Sequence, residues 1–122
     1  FYCTRLERQA RRWAISKRVP HVVCVYEYRP DDSLNMKVFS EMTDEWLDFV
    51  ASCRHEESHS YDIVEGPMAD DEVWDYVEDF LSGRITREAF WALARFKHPT
   101  HQIIFCTDNA LQTIKFESSY EL

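Results

Sequence analysis

Apolar positions along this chain recur with two periods, and the switches between them mark out alternating helices and strands. Leu6, Ala10, Trp13 and Ala14 fall at i, i+4, i+7 and i+8, one stripe of a 3.6-residue repeat. They predict a helix over residues 7–18, stopped by Pro20. Residues 21–28 carry Val22, Val23, Val25, Tyr26 and Tyr28, the β-branched and aromatic types of a strand. Pro30, Asp31, Asp32 and Ser33 form a turn, and Lys37-Val38-Phe39 a short strand. Thr43 caps a helix over 44–53 whose buried side is Trp46, Leu47, Phe49, Val50 and Cys53. Residues 54–60 are polar and read as a loop, followed by a short strand over 61–64 that Gly66-Pro67 ends.

The second half repeats the alternation. Val73, Val77, Phe80 and Leu81 stripe a helix over 70–81, with Trp74 beside them. Asp70, Asp71 and Glu72 sit at its positive end, and Gly83 suits a left-handed position after its last turn. Thr86 caps a helix over 87–96 with Phe90, Leu93 and Ala94 facing inward, and Pro99 prevents its continuation. A strand over 102–106, a helical turn opened by Thr107 or Asp108, and a last strand over 113–116 complete the order. Ahead of the first helix, Phe1-Tyr2-Cys3-Thr4 reads as the tail of a strand whose upstream partners lie outside this sequence. Strands separated by helices of uneven length predict a mixed α+β fold.

With 122 residues the chain is expected to be one domain. Eight Phe, six Tyr and four Trp imply a core of large rings. Only two glycines are present, which excludes a Gly-rich phosphate loop and disfavours a doubly wound nucleotide fold. Fourteen basic against twenty-two acidic residues give −8, which argues against a nucleic-acid backbone as partner. The basic residues Arg5, Arg8, Arg11, Arg12, Lys17 and Arg18 nonetheless gather over residues 5–18, on and just before the first helix. No apolar stretch is long enough to span a membrane. Cys3, Cys24, Cys53 and Cys106 are widely spaced in apolar runs and read as buried thiols of a cytoplasmic protein.

The residues offer few chemical candidates. On a strand, Tyr2 and Thr4 share a face, where a ring beside a hydroxyl suits a flat, hydroxylated ligand. The bland alternative is a core aromatic strand. His98, His101 and Gln102 stand where a strand begins. An amide does not titrate, so Gln102 can orient a ligand but not act as acid or base. Cys53, His55 and His59 lack the spacing of a zinc site, and no metal is expected. Neither a Gly-x-Ser-x-Gly elbow nor a His-Glu-x-x-His pair occurs.

Phe1-Tyr2-x-Thr4 followed by Gln9-Ala10 and Trp13-Ala14 resembles the second-strand region of ADP-ribosyltransferase-like domains. More closely, the chain resembles an uncharacterised bacterial domain family near that superfamily. The segments that carry this are Val25-Tyr26-Glu27-Tyr28, the Glu45-Trp46-Leu47-Asp48-Phe49-Val50 run, Tyr61-Asp62-Ile63-Val64-Glu65-Gly66-Pro67-Met68-Ala69-Asp70-Asp71, and Gln102-Ile103-Ile104-Phe105 with Leu111, Lys115 and Phe116 behind it.

The resemblance implies a split, mixed β core with flanking helices that clamps NAD as cosubstrate. It implies transfer of ADP-ribose from NAD to an unknown acceptor, a protein among the possibilities. In such enzymes an earlier strand holds the dinucleotide, and it would precede Phe1. By the same resemblance Tyr2 packs on nicotinamide, Thr4 lies nearby, and Gln102 stands where a catalytic glutamate is usual. Phe1, Arg8 and Asp62 complete the implied cofactor contacts, with Arg5 and Arg8 steering the pyrophosphate. Gln102 keeps hydrogen bonding but lacks the charge that stabilises a developing cation. Asp62 and Glu65 are carboxylates able to compensate if they face the cleft. A catalytically silent relative that binds nucleotide or protein is the alternative, and an acidic interaction surface a third.

Overall fold

The computed structural model describes residues 1–55, 57–69, 71–94 and 100–122, and they form two compact units. The first comprises Phe1–Val38, Ser60–Gly66 and His101–Leu122; the second comprises Phe39–His59 and Pro67–Thr100. Six strands and five helices alternate along the described chain as a mixed α+β fold.

In the first unit, β1 (Tyr2–Cys3) leads into α1 (Glu7–Ile15), β2 (Val22–Tyr28) and β3 (Met36–Val38). After β4 (Ile63–Met68) and β5 (Thr100–Phe105) come α5 (Asp108–Leu111) and β6 (Ile114–Glu121). One mixed sheet has the order β1-β5-β4-β3. β1 runs antiparallel to β5, with Tyr2 opposite Ile104 and Cys3 opposite Ile103. β3 runs parallel to β4, with Met36 opposite Ile63 and Val38 opposite Glu65. β2 and β6 form a separate antiparallel pair with a bulge between Val25 and Tyr26. Ile63, Ile103, Phe105 and Ala110 make the core, packed by Cys3, Tyr28, Leu34 and Ile114. Thr107 caps α5 by accepting from the Ala110 N–H, and its hydroxyl donates to Asp62.

The second unit is helical: α2 (Asp44–Arg54), α3 (Asp71–Leu81) and α4 (Arg87–Ala94). Phe39, Trp46, Leu47, Val73, Val77, Phe90 and Ala94 are buried in it. Thr43 caps α2 as expected, accepting from the Trp46 N–H at 3.2 Å. Trp46 is 2% exposed, and its indole N–H donates to the Pro67 carbonyl at 2.9 Å. Thr86 accepts from the Ala89 N–H at the start of α4. Gly83 follows α3 with φ of +77°, the left-handed conformation its position called for.

Several expectations change. α1 ends at Ile15, where the Ser16 hydroxyl bonds the Trp13 carbonyl and closes the turn. Its buried residues are Gln9 and Ala14, while Leu6 is exposed. Leu93 is likewise exposed on α4. Gly66-Pro67 does not end β4, which continues to Met68. Pairing with β3 stops at Glu65, so the missing Pro67 N–H interrupts none of that register. β6 is eight residues long, because its polar second half is held by backbone pairing to β2 instead of burial. The cysteines are not buried: Cys24, Cys53 and Cys106 are exposed and Cys3 is half-buried. Asp70, Phe96, His98 and Pro99 lie outside the described residues.

Candidate functional site

The first unit contains a cavity of about 760 Å³ walled by β1, β2, β5, β6 and α1. Such a volume lies within the roughly 300–1,000 Å³ range of small-molecule and cofactor pockets. Its wall is aromatic because strand alternation brings rings together there. Phe1 meets Tyr26 edge-on at 5.4 Å between centroids, and Tyr26 meets Phe116 at 5.7 Å. Tyr28 packs edge-on against Phe105 at 5.8 Å. Arg5 and Lys17 are the cations of the lining, and Thr4 contributes a hydroxyl.

A polar chain is built behind Thr4 and Arg5. Arg5 Nε donates to Glu65 Oε2 at 2.7 Å, and its Nη2 to Oε1 at 3.3 Å. The same Oε2 lies 2.8 Å from His101 Nε2. His101 Nδ1 lies 3.1 Å from Thr4 Oγ1 and accepts from the Arg5 backbone N–H at 3.3 Å. Thr4 Oγ1 itself accepts from the Leu6 N–H. Two donors therefore face Nδ1, and the ring proton belongs on Nε2, toward the carboxylate.

Gln9 fixes His101 from the other side. Its side-chain amide donates to the His101 carbonyl and accepts from the His101 N–H, matching both groups of one backbone residue. The guanidinium of Arg5 stands 5.4 Å from the Tyr28 ring centroid.

These contacts perturb the titrating groups. The Arg5 hydrogen bond, with help from His101, holds the Glu65 carboxyl below its ordinary value despite partial burial. Bonding to Glu65 correspondingly raises Arg5. Burial raises the Tyr28 hydroxyl against the opposing effect of Arg5. Burial also raises the Cys3 thiol.

The expected site residues separate into two groups. Phe1, Tyr2 and Thr4 line the cavity with Arg5. Tyr2 lies opposite Ile104, so Tyr2 and Gln102 are diagonal neighbours on one sheet face, away from Cys3 and Ile103. Gln102 is half-buried there and lies outside the cavity lining. Arg8 is exposed on α1, also outside the lining.

Asp62 is a corner residue. It accepts from the Asn35 N–H and the Thr107 hydroxyl, and these two donors, the hydroxyl foremost, lower its pKa. Glu65 does reach the cavity's polar end through Arg5, whereas the joint roles of Glu65, His101 and Gln9 are new. In the sequence His101 stood out at a strand entrance, Glu65 as a carboxylate near the cleft, and Gln9 as a glutamine inside an apolar helix stripe. Among the described residues, no three His, Cys, Asp or Glu side chains gather in a way that would hold a metal ion. Nor is any described helix long and apolar enough to cross a membrane.

The first unit is thus a mixed α+β unit whose aromatic cavity ends in a hydroxyl–imidazole–carboxylate–guanidinium chain. The chain belongs to the DUF3990 family, a protein family of unknown function, whose model matches residues 1–116. No curated protein and no solved structure matches it.

Proposed function

We propose that this chain binds NAD and transfers its ADP-ribose to an acceptor, in the manner of ADP-ribosyltransferase-like domains. The observation that carries the reading is the register of β1 on β5, which makes Tyr2, a lining residue of the cavity, and Gln102 diagonal neighbours on one sheet face. The division into a four-stranded sheet and a separate strand pair agrees with a split β core.

The residues fit the group. Tyr2, 66% exposed, offers a free ring for a flat heterocycle. Thr4 and Gln102 offer hydrogen bonds to ribose hydroxyls. Arg5 keeps guanidinium N–H groups beyond its two bonds to Glu65, and its side chain is 54% exposed, open to an anionic pyrophosphate. Bound NAD would supply the ADP-ribosyl group and a nicotinamide leaving group. The protein's part is to stack the ring, orient the ribose and exclude water with its aromatic walls.

One observation favours a second reading, a nucleotide binder without turnover. Gln102 carries no charge, Glu65 is already paired with Arg5 and His101, and Glu7, the carboxylate of the lining, accepts from the Tyr120 hydroxyl. Incubation with nicotinamide-labelled and adenine-labelled NAD tests both. Transfer predicts nicotinamide release and acceptor labelling that Tyr2→Ala and Gln102→Ala abolish. Saturable binding without release supports the binder. Absence of binding overturns both readings.

A further inference from the structure

We propose that Thr4 Oγ1 is an activated nucleophile, with His101 as its base and Glu65 holding the imidazole, and that it attacks the carbonyl of an apolar acyl ester entering the cavity. The proposal stands on this geometry and is independent of the dinucleotide reading.

The three groups form one continuous chain of hydrogen-bond distances. Thr4 Oγ1 is 3.1 Å from His101 Nδ1, and His101 Nε2 is 2.8 Å from Glu65 Oε2. The direction of each bond is set by the neighbours. The Arg5 backbone N–H can only donate, so Nδ1 is the unprotonated nitrogen. The Leu6 N–H occupies one lone pair of Thr4 Oγ1, which leaves the hydroxyl proton aimed at Nδ1. The Nε2–H then points at a carboxylate able to stabilise an imidazolium. That is the division of roles in hydroxyl–imidazole–carboxylate catalysis. Gln9 clamps both backbone groups of His101, so the ring is held rather than merely adjacent.

The placement of Thr4 adds a second observation. It stands on the turn from β1 into α1 and lines the cavity. A hydroxyl on a strand-to-helix turn is exposed to ligand and backed by helix N–H groups. The N–H groups of Glu7 and Arg8, in the first turn of α1, have no carbonyl within the helix to bond. The proposal assigns them the role of donors to the oxyanion. The ligand class follows from the walls: Phe1, Trp13, Tyr26 and Phe105 suit an apolar acyl group.

The reaction balances with water alone. Thr4 Oγ1 bonds to the carbonyl carbon as its proton moves to His101 Nδ1. The carbon–oxygen bond to the leaving group breaks, and that proton passes to the departing alkoxide. Water, deprotonated by the same nitrogen, then cleaves the threonyl ester. It releases a carboxylic acid and restores the Thr4 hydroxyl.

The test is covalent capture by an alkyl fluorophosphonate, read by intact mass and peptide mapping, beside hydrolysis of p-nitrophenyl butyrate. One phosphonyl group on Thr4 is expected. Thr4→Val should remove the adduct while circular dichroism and melting stay near wild type, and Thr4→Ser should retain it. His101→Gln should slow both reactions by about a hundredfold or more. If that variant does not fold, the Val and Ser pair decides the matter. A folded wild type without an adduct on Thr4 overturns the proposal. So does labelling that His101→Gln leaves unchanged.

Discussion

Replacing Glu65 by glutamine removes one charge from the polar chain without changing its size. In the wild type, Glu65 Oε2 accepts from Arg5 Nε at 2.7 Å and lies 2.8 Å from His101 Nε2, while Oε1 accepts from Arg5 Nη2 at 3.3 Å. A glutamine oxygen can keep the first two bonds. Its NH₂ group then faces Arg5 Nη2, donor against donor. One bond is lost and two lose their ionic assistance.

Bonds to charged groups contribute about 1.5–3 kcal/mol each. Arg5 is 54% exposed, so solvent screens much of this. The expected net loss is about 1–2 kcal/mol, or roughly 4–8 °C in Tm for a chain of this size. The pH dependence carries the sign. The Glu65 carboxyl is lowered in the fold, so its stabilisation is fully present above the ordinary value of 4.5. It is lost as pH falls through the lowered folded value. Thermal melts of wild type and Glu65→Gln should therefore differ fully at pH 7 and converge in acid. Equal melting at pH 7, or a gap that persists unchanged in acid, would refute the reasoning.

Trp46→Phe keeps a buried ring but leaves the Pro67 carbonyl without its indole donor; urea unfolding should show a loss of about 1–3 kcal/mol. Thr43→Ala removes the cap of α2 and should cost about 0.5–2 kcal/mol in the same assay, with serine restoring most of it. Maleimide should modify the exposed Cys24 and Cys106 before Cys3, whose thiol is half-buried and raised in pKa; mass spectrometry showing Cys3 first would contradict the fold around β1.

The elements with strong local signals were legible. β2 announces itself through Val22, Val23, Val25, Tyr26 and Tyr28, and α2 through Thr43 and its apolar side. The extent of β6 was not, because Glu117 to Glu121 present no apolar alternation and owe their conformation to the β2 ladder. Gly66-Pro67 misled for a related reason: a proline ends a strand only where its N–H is needed, and β3 pairs no further than Glu65.

The candidate site divides in the same way. The resemblance drew attention to Tyr2, Thr4 and Gln102. Thr4 and His101 are 97 positions apart, and Glu65 and His101 are 36 apart, so no local spacing joins them. They meet because β5 lies between β1 and β4 in the sheet. Gln9 was visible only as a polar interruption of an apolar stripe. Its reason appears once its amide is seen to match the His101 backbone.

The most direct test of the central claim is a titration of the full chain with NAD, followed by backbone amide shifts in a ¹⁵N-labelled sample. Binding at the cavity predicts saturable shifts concentrated on residues 2–5, Tyr26, Tyr28 and 101–105, with Phe39–His59 unmoved. Spectra unchanged by millimolar NAD, or shifts confined to the second unit, would contradict it.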